Sequence, residues 1–105
     1  MSSHHFDEKA WGELDIFHQL GNIGSEVGRA VSAKKRGKED RMMGAFYRGM
    51  DLINATVRAW VARGKSPYEI LIAREQFAKT ILTNDEDPKI ESYFMRYAVV
   101  ARKQT

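Results

Sequence analysis

The stretch from Asp7 to Lys35 constrains the fold of this chain most. Within it Ile16, Leu20, Ile23, Val27 and Ala30 step by four and three residues, with Phe17 and Val31 beside them. That spacing is the period of an α-helix with one apolar face. Gly21, Gly24 and Gly28 fall together on one flank of the stripe. A glycine in a helix interior costs about 1 kcal/mol relative to alanine. Three on one flank therefore predict that a backbone or a bulky ring packs closely there. In a wholly apolar segment the Gly24-x-x-x-Gly28 spacing would suit pairing of membrane helices, but Asp15, His18, Glu26 and Arg29 forbid that reading.

The same period recurs along the chain. The first helix is predicted from Asp7 to Arg36, with Asp7 as N-cap and Glu8 near the positive end. Lys34, Lys35 and Arg36 suit its negative end, and Gly37 suits the position past it. A second helix is predicted from Asp40 to Arg63 on Met43, Phe46, Met50, Ile53, Val57 and Trp60. Gly64 is its stop, and Asn54 falls inside its stripe, where a buried amide needs hydrogen-bond partners. Ser66-Pro67-Tyr68-Glu69 joins a serine cap to proline at the first helical position. A third helix follows to Thr83 on Ile70, Leu71, Phe77, Ala78 and Ile81. Asp87-Pro88 repeats the device and opens a fourth, to Lys103, on Ile90, Tyr93, Phe94, Tyr97, Val100 and Ala101. The expected fold is all-α: one four-helix bundle over residues 1–105, mostly antiparallel, with a long first helix and residues 1–6 outside the packed body.

The helices are unequal. The third and fourth are too short to cover the first pair, which predicts exposed apolar surface at Trp11, Leu14 and Trp60. A second copy of the chain is the simplest cover, so a homodimer is expected. There is no cysteine, hence no disulfide framework or thiolate chemistry. No apolar run approaches a membrane span, and Met-Ser-Ser-His-His lacks the apolar core of a signal peptide. The expected compartment is the cytoplasm.

Catalytic chemistry finds no complete constellation. Gly24-Ser25-Glu26 has no preceding strand and lacks the spacing of a nucleophile elbow. The glycines lie inside a helix rather than in a phosphate-binding loop. Asp15-x-x-His18 is a single acid–histidine pair where a di-iron bundle needs two, with further glutamates. No metal, cofactor or catalytic residue is therefore assigned.

Two groups remain as binding candidates. One is the polar row of the first helix, Asn22, Glu26 and Arg29, joined by Arg74 and Arg102. Arg74 falls inside the apolar face of the third helix, where a guanidinium needs an anion or several acceptors. Of the candidates Glu75, Glu26, Glu13 and Asn54, Glu26 is the expected partner. The other group is the basic run Lys34, Lys35, Arg36 and Lys38 with Arg41, a candidate phosphate contact at the tip of the bundle. A solvated face with local pairs such as Glu26–Arg29, and helix-dipole compensation at the basic run, account for the same residues without a ligand. The formal charge of +3 permits nucleic acid without requiring it. No aromatic residue is interleaved in the basic run to stack bases.

Several segments carry a resemblance: Asn22-Ile23-Gly24-Ser25-Glu26-x-x-Arg29-Ala30, Leu52-Ile53-x-x-Thr56-Val57-Arg58, Ala73-Arg74-Glu75, and Tyr93-Phe94-x-x-Tyr97-Ala98-x-x-Ala101-Arg102. With them the chain resembles a family of small prokaryotic all-helical proteins of unassigned function. The helix layout is more distantly similar to HEPN domains, which are helical, often dimeric and frequent in toxin–antitoxin and defence systems. Their ribonuclease members carry Arg-x(4–6)-His late in the domain. Here the histidines are His4, His5 and His18, and no arginine precedes them. The family carries no activity over to this chain; the unequal helices, the glycine-flanked packing and the lack of a complete catalytic constellation lead to the expectation of a non-enzymatic, homodimeric protein-interaction module of a toxin–antitoxin or defence system. The alternative is an RNA-binding or RNA-processing protein without that site.

Overall fold

A computed structural model describes residues 7–84 and Phe94. The apolar stripe of the first 36 residues forms two helices rather than one. Asp7 caps α1 (Glu8–Glu13), accepting a hydrogen bond from the Ala10 amide at 3.1 Å. At Leu14 the backbone turns extended, with φ −68° and ψ 151°. Asp15 then caps α2 (Ile16–Lys35). Its Oδ1 accepts from the His18 amide at 2.9 Å and lies 2.8 Å from His18 Nδ1. The amide bond, and then the imidazole, hold the Asp15 carboxyl below the usual aspartate range. The predicted helix from Asp7 to Arg36 is corrected accordingly. The aspartate needed as a cap sits inside the apolar period, and capping prevails over continuation.

Arg36 ends α2, Gly37 takes φ 68°, and α3 (Glu39–Ala62) begins two residues later. Gly64, at φ 76°, follows the end of α3. Both are left-handed positions that favour glycine. α4 spans Tyr68–Leu82. Pro67 stands at its start, and Ser66 Oγ accepts from the Tyr68 amide at 3.3 Å. The predicted helix from Pro88 to Lys103 lies outside the described residues except for Phe94, which is helical and fully buried.

The three-residue turn at 36–38 makes α2 and α3 an antiparallel hairpin. Gln19 meets Trp60 at one end and Glu26 meets Arg48 nearer the turn. α4 runs back along α3, with Asn54 against Arg74 and Gly49 against Phe77. Leu20, Ile23 and Val27 of α2, Ile53 of α3, and Ile70 and Phe77 of α4 form the buried centre. The Phe77 and Phe46 rings lie 5.1 Å apart, tilted by 56°. Among the described residues every regular element is a helix, and no helix is long and apolar enough to cross a membrane.

Close approach explains two glycines. A Cβ at Gly24 would stand 2.7 Å from Phe94 Cβ and 3.3 Å from its carbonyl carbon. The glycine flank predicted from sequence therefore does receive another chain segment. At Gly49 a Cβ would stand 2.9 Å from Phe77 Cε2. Alanine there gains about 1 kcal/mol of helix propensity. It also presses on a fully buried ring, and overpacking costs about 1–3 kcal/mol. Gly49→Ala is thus expected to lower stability, read as an earlier urea midpoint. A later midpoint would show that the ring yields freely.

The apolar centre contains one polar network that periodicity does not reveal. Gln19 is fully buried. Its Nε2 donates to the Trp11 carbonyl and its Oε1 accepts from Trp60 Nε1, each at 3.0 Å. Trp11 Nε1 donates to Thr56 Oγ1 at 2.9 Å, and that hydroxyl donates to the Leu52 carbonyl at 2.8 Å. The break at Leu14 lets α1 carry Trp11 over α3. Trp11 and Trp60 are only 8% and 4% exposed, and Leu14 packs against the same core. The expectation of uncovered apolar surface at Trp11, Leu14 and Trp60 is therefore overturned.

Candidate functional site

Seven residues separate Arg29 from Arg36 on α2, and seven separate Arg41 from Arg48 on α3. Seven residues are close to two helical turns, so each pair shares a face. Because the two helices run antiparallel from a short turn, the two faces meet along one groove. A cavity of about 680 Å³ opens there. Its cationic lining is Arg29, Arg36, Lys38, Arg41 and Arg48, with Asp40 as the one acid among the described lining residues. Ser25 and Ser32 add hydroxyls, and Gly24, Gly28 and Gly44 keep the floor low. Phe94 stands against Gly24.

Glu26 organises one end. It is 7% exposed and lies behind the groove wall rather than in it. Its Oε1 accepts from Arg29 Nη1, one turn along α2. Its Oε2 accepts from Arg48 Nε of α3 at 2.7 Å. The two guanidiniums reach outward, their side chains 64% and 41% exposed. Gly44 makes room for Arg48: a Cβ there would meet Arg48 Nη1 at 3.4 Å. At the other end Arg36, Lys38 and Arg41 are exposed around the turn.

The candidates named from sequence divide. Arg29, Arg36, Lys38 and Arg41 come together in the groove, and Glu26 holds one of them. Asn22 is exposed on α2 and Lys35 is exposed near its end, neither lining the cavity. Arg102 lies outside the described residues. Arg74 does not pair with Glu26. Its Nη1 donates to Asn54 Oδ1 at 2.8 Å, and among the described residues it meets no carboxylate. α4 packs on the side of α3 that carries Asn54, whereas Arg29 and Arg48 already occupy both oxygens of Glu26. The two misplaced polar residues of the sequence, Asn54 and Arg74, satisfy each other.

Lys34 also leaves the set. Its Nζ donates to the carbonyls of Thr80 and Thr83 at the end of α4. It thus neutralises a helix C-terminus and does not line the cavity. Lys34→Ala is expected to lower stability by about 1–2 kcal/mol, as charge-assisted bonds do, and to leave anion binding unchanged. An unchanged thermal midpoint with weakened anion binding would reverse that assignment.

Arg48 went unrecognised in the sequence. Its signal was the repeat Arg41-x-x-Gly44-x-x-x-Arg48, a glycine between two arginines two turns apart. Among the described residues no three histidine, aspartate or glutamate side chains group as metal ligands. No family model, curated protein or solved structure matches the chain.

Proposed function

We propose that the chain binds single-stranded nucleic acid by its phosphate backbone, in the groove between α2 and α3. The observation that carries this reading is the convergence of five cationic side chains from two helices and their turn on one cavity. Packed helix axes lie about 8–10 Å apart, so the groove between them suits one backbone and not a whole duplex. Arginine matches phosphate in fork geometry, and four of the five cations are arginines. The described lining contains no aromatic ring. Bases then point outward and go unread, which makes binding indifferent to sequence.

The test is equilibrium binding of labelled oligouridylate and oligoadenylate across a salt series. Both should bind at low salt with similar affinity, and log K should fall by about 0.7 per contacted phosphate for each log unit of salt. Absence of binding at low salt, or an affinity indifferent to salt, would dispose of the reading.

A homodimeric interaction module is the second reading. It now draws on α4, where Tyr68 and Ile72 lie one turn apart and are both exposed. Sedimentation at micromolar concentration should then give a dimer that Tyr68→Lys with Ile72→Lys dissociates. A monomeric parent would remove it.

A further inference from the structure

We propose that the groove contains two anion subsites two helical turns apart, so that its ligand is a strand of several nucleotides and not a mononucleotide. This rests on the phosphate-binding reading above. The first subsite is the Arg29–Arg48 pair, and the second is the Arg36, Lys38, Arg41 cluster at the turn. Seven residues at 1.5 Å each put the two about 10 Å apart along both walls. One phosphate cannot reach both, whereas a strand carries a further phosphate into the second.

The first subsite depends on Glu26 as a positioning residue. Each guanidinium has five N–H donors, and the bonds to Glu26 use one from Arg29 and one from Arg48. The remaining donors belong to side chains that line the groove and are anchored on Glu26. Two arginines this close repel one another, and the carboxylate behind them offsets that repulsion. A fixed pair loses less side-chain entropy when an anion arrives. Charge and orientation therefore predict opposite signs for Glu26→Gln. Removal of a negative charge near the groove should tighten anion binding if charge alone acts. Loss of orientation should weaken it, because a Gln amide nitrogen faces one guanidinium donor to donor.

The experiment compares uridine monophosphate with di-, tetra- and hexauridylate, on the parent chain, Glu26→Gln and Arg48→Ala. For the parent, affinity should rise at least about tenfold from the monophosphate to the hexamer, as the second contact becomes intramolecular. Both variants should still bind the monophosphate at the turn cluster, with one site where the parent has two. Both should lose the gain with length and show a shallower salt dependence on the hexamer. An unchanged helical circular dichroism spectrum certifies that the variants are folded. Equal parent affinity for monophosphate and hexamer would overturn the two subsites. A hexamer bound by Glu26→Gln as tightly as by the parent, or more tightly, would overturn the role of Glu26 while leaving backbone binding intact. Failure of every ligand to bind the parent removes the function and this inference together.

Discussion

Gln19→Leu is expected to lower the free energy of unfolding by about 2–4 kcal/mol, although leucine has nearly the same volume and belongs in a core. The loss comes from hydrogen bonding. The Trp60 indole N–H is left buried with no acceptor, and a stranded donor costs about 1–3 kcal/mol. The Trp11 carbonyl fares better, because it still accepts from the Leu14 amide at 3.1 Å. Its lost bond adds about 1 kcal/mol. Urea unfolding followed by fluorescence measures this directly, since both tryptophans of the chain belong to the network. The midpoint should fall while the denaturant slope holds. Adding Trp60→Phe to Gln19→Leu should cost less than the two single losses combined, because it deletes the stranded donor. A Gln19→Leu midpoint matching the parent would mean that water enters and replaces the amide.

The second large effect is on binding. Replacing Arg36, Lys38 and Arg41 with glutamate should weaken oligonucleotide binding at least about 100-fold, because like-charge apposition costs several kcal/mol and about 1.4 kcal/mol is tenfold. The fold should survive. All three side chains are exposed, and exposed substitutions change stability by about 0.5 kcal/mol. The adverse effect of a glutamate near the C-terminus of α2 is about 0.3–1 kcal/mol. Lys35→Glu is the matched control, being exposed in the same run but outside the groove. If it weakens binding as much as the triple change, net charge and not the groove governs affinity.

The contrast between these two sites shows what can be read from sequence. The helical period located the apolar faces of α2, α3 and α4, because burial on one side of a helix imposes that period on the chain. Gly37 and Gly64 marked helix ends because only glycine takes a positive φ at no cost. The break at Leu14 was hidden. Trp11 and Leu14 continue the apolar period, and only the Asp15 side chain, bonded to the His18 amide, decides the interruption. Gln19 was hidden for a different reason. A polar residue beside an apolar stripe looks solvated until two indoles are known to converge on it. The groove was half legible. The basic run was visible, but its division into Lys34 at the end of α4 and Arg36, Lys38 and Arg41 in the cavity depends on where α4 ends. Arg48 entered only through its place opposite Arg29.

The short α1 carries a consequence for how the molecule opens. Six residues are too few to hold helical structure alone in water. α1 is therefore ordered only while Trp11 is seated, and its folding and docking are one event. Its amides should exchange with solvent together, through an opening that leaves α2 and α3 intact and costs less than global unfolding. That opening uncovers Gln19 and the Trp60 indole at the end of the hairpin away from the turn. No residue of α1 lines the arginine-lined groove, so this opening leaves the proposed binding surface in place.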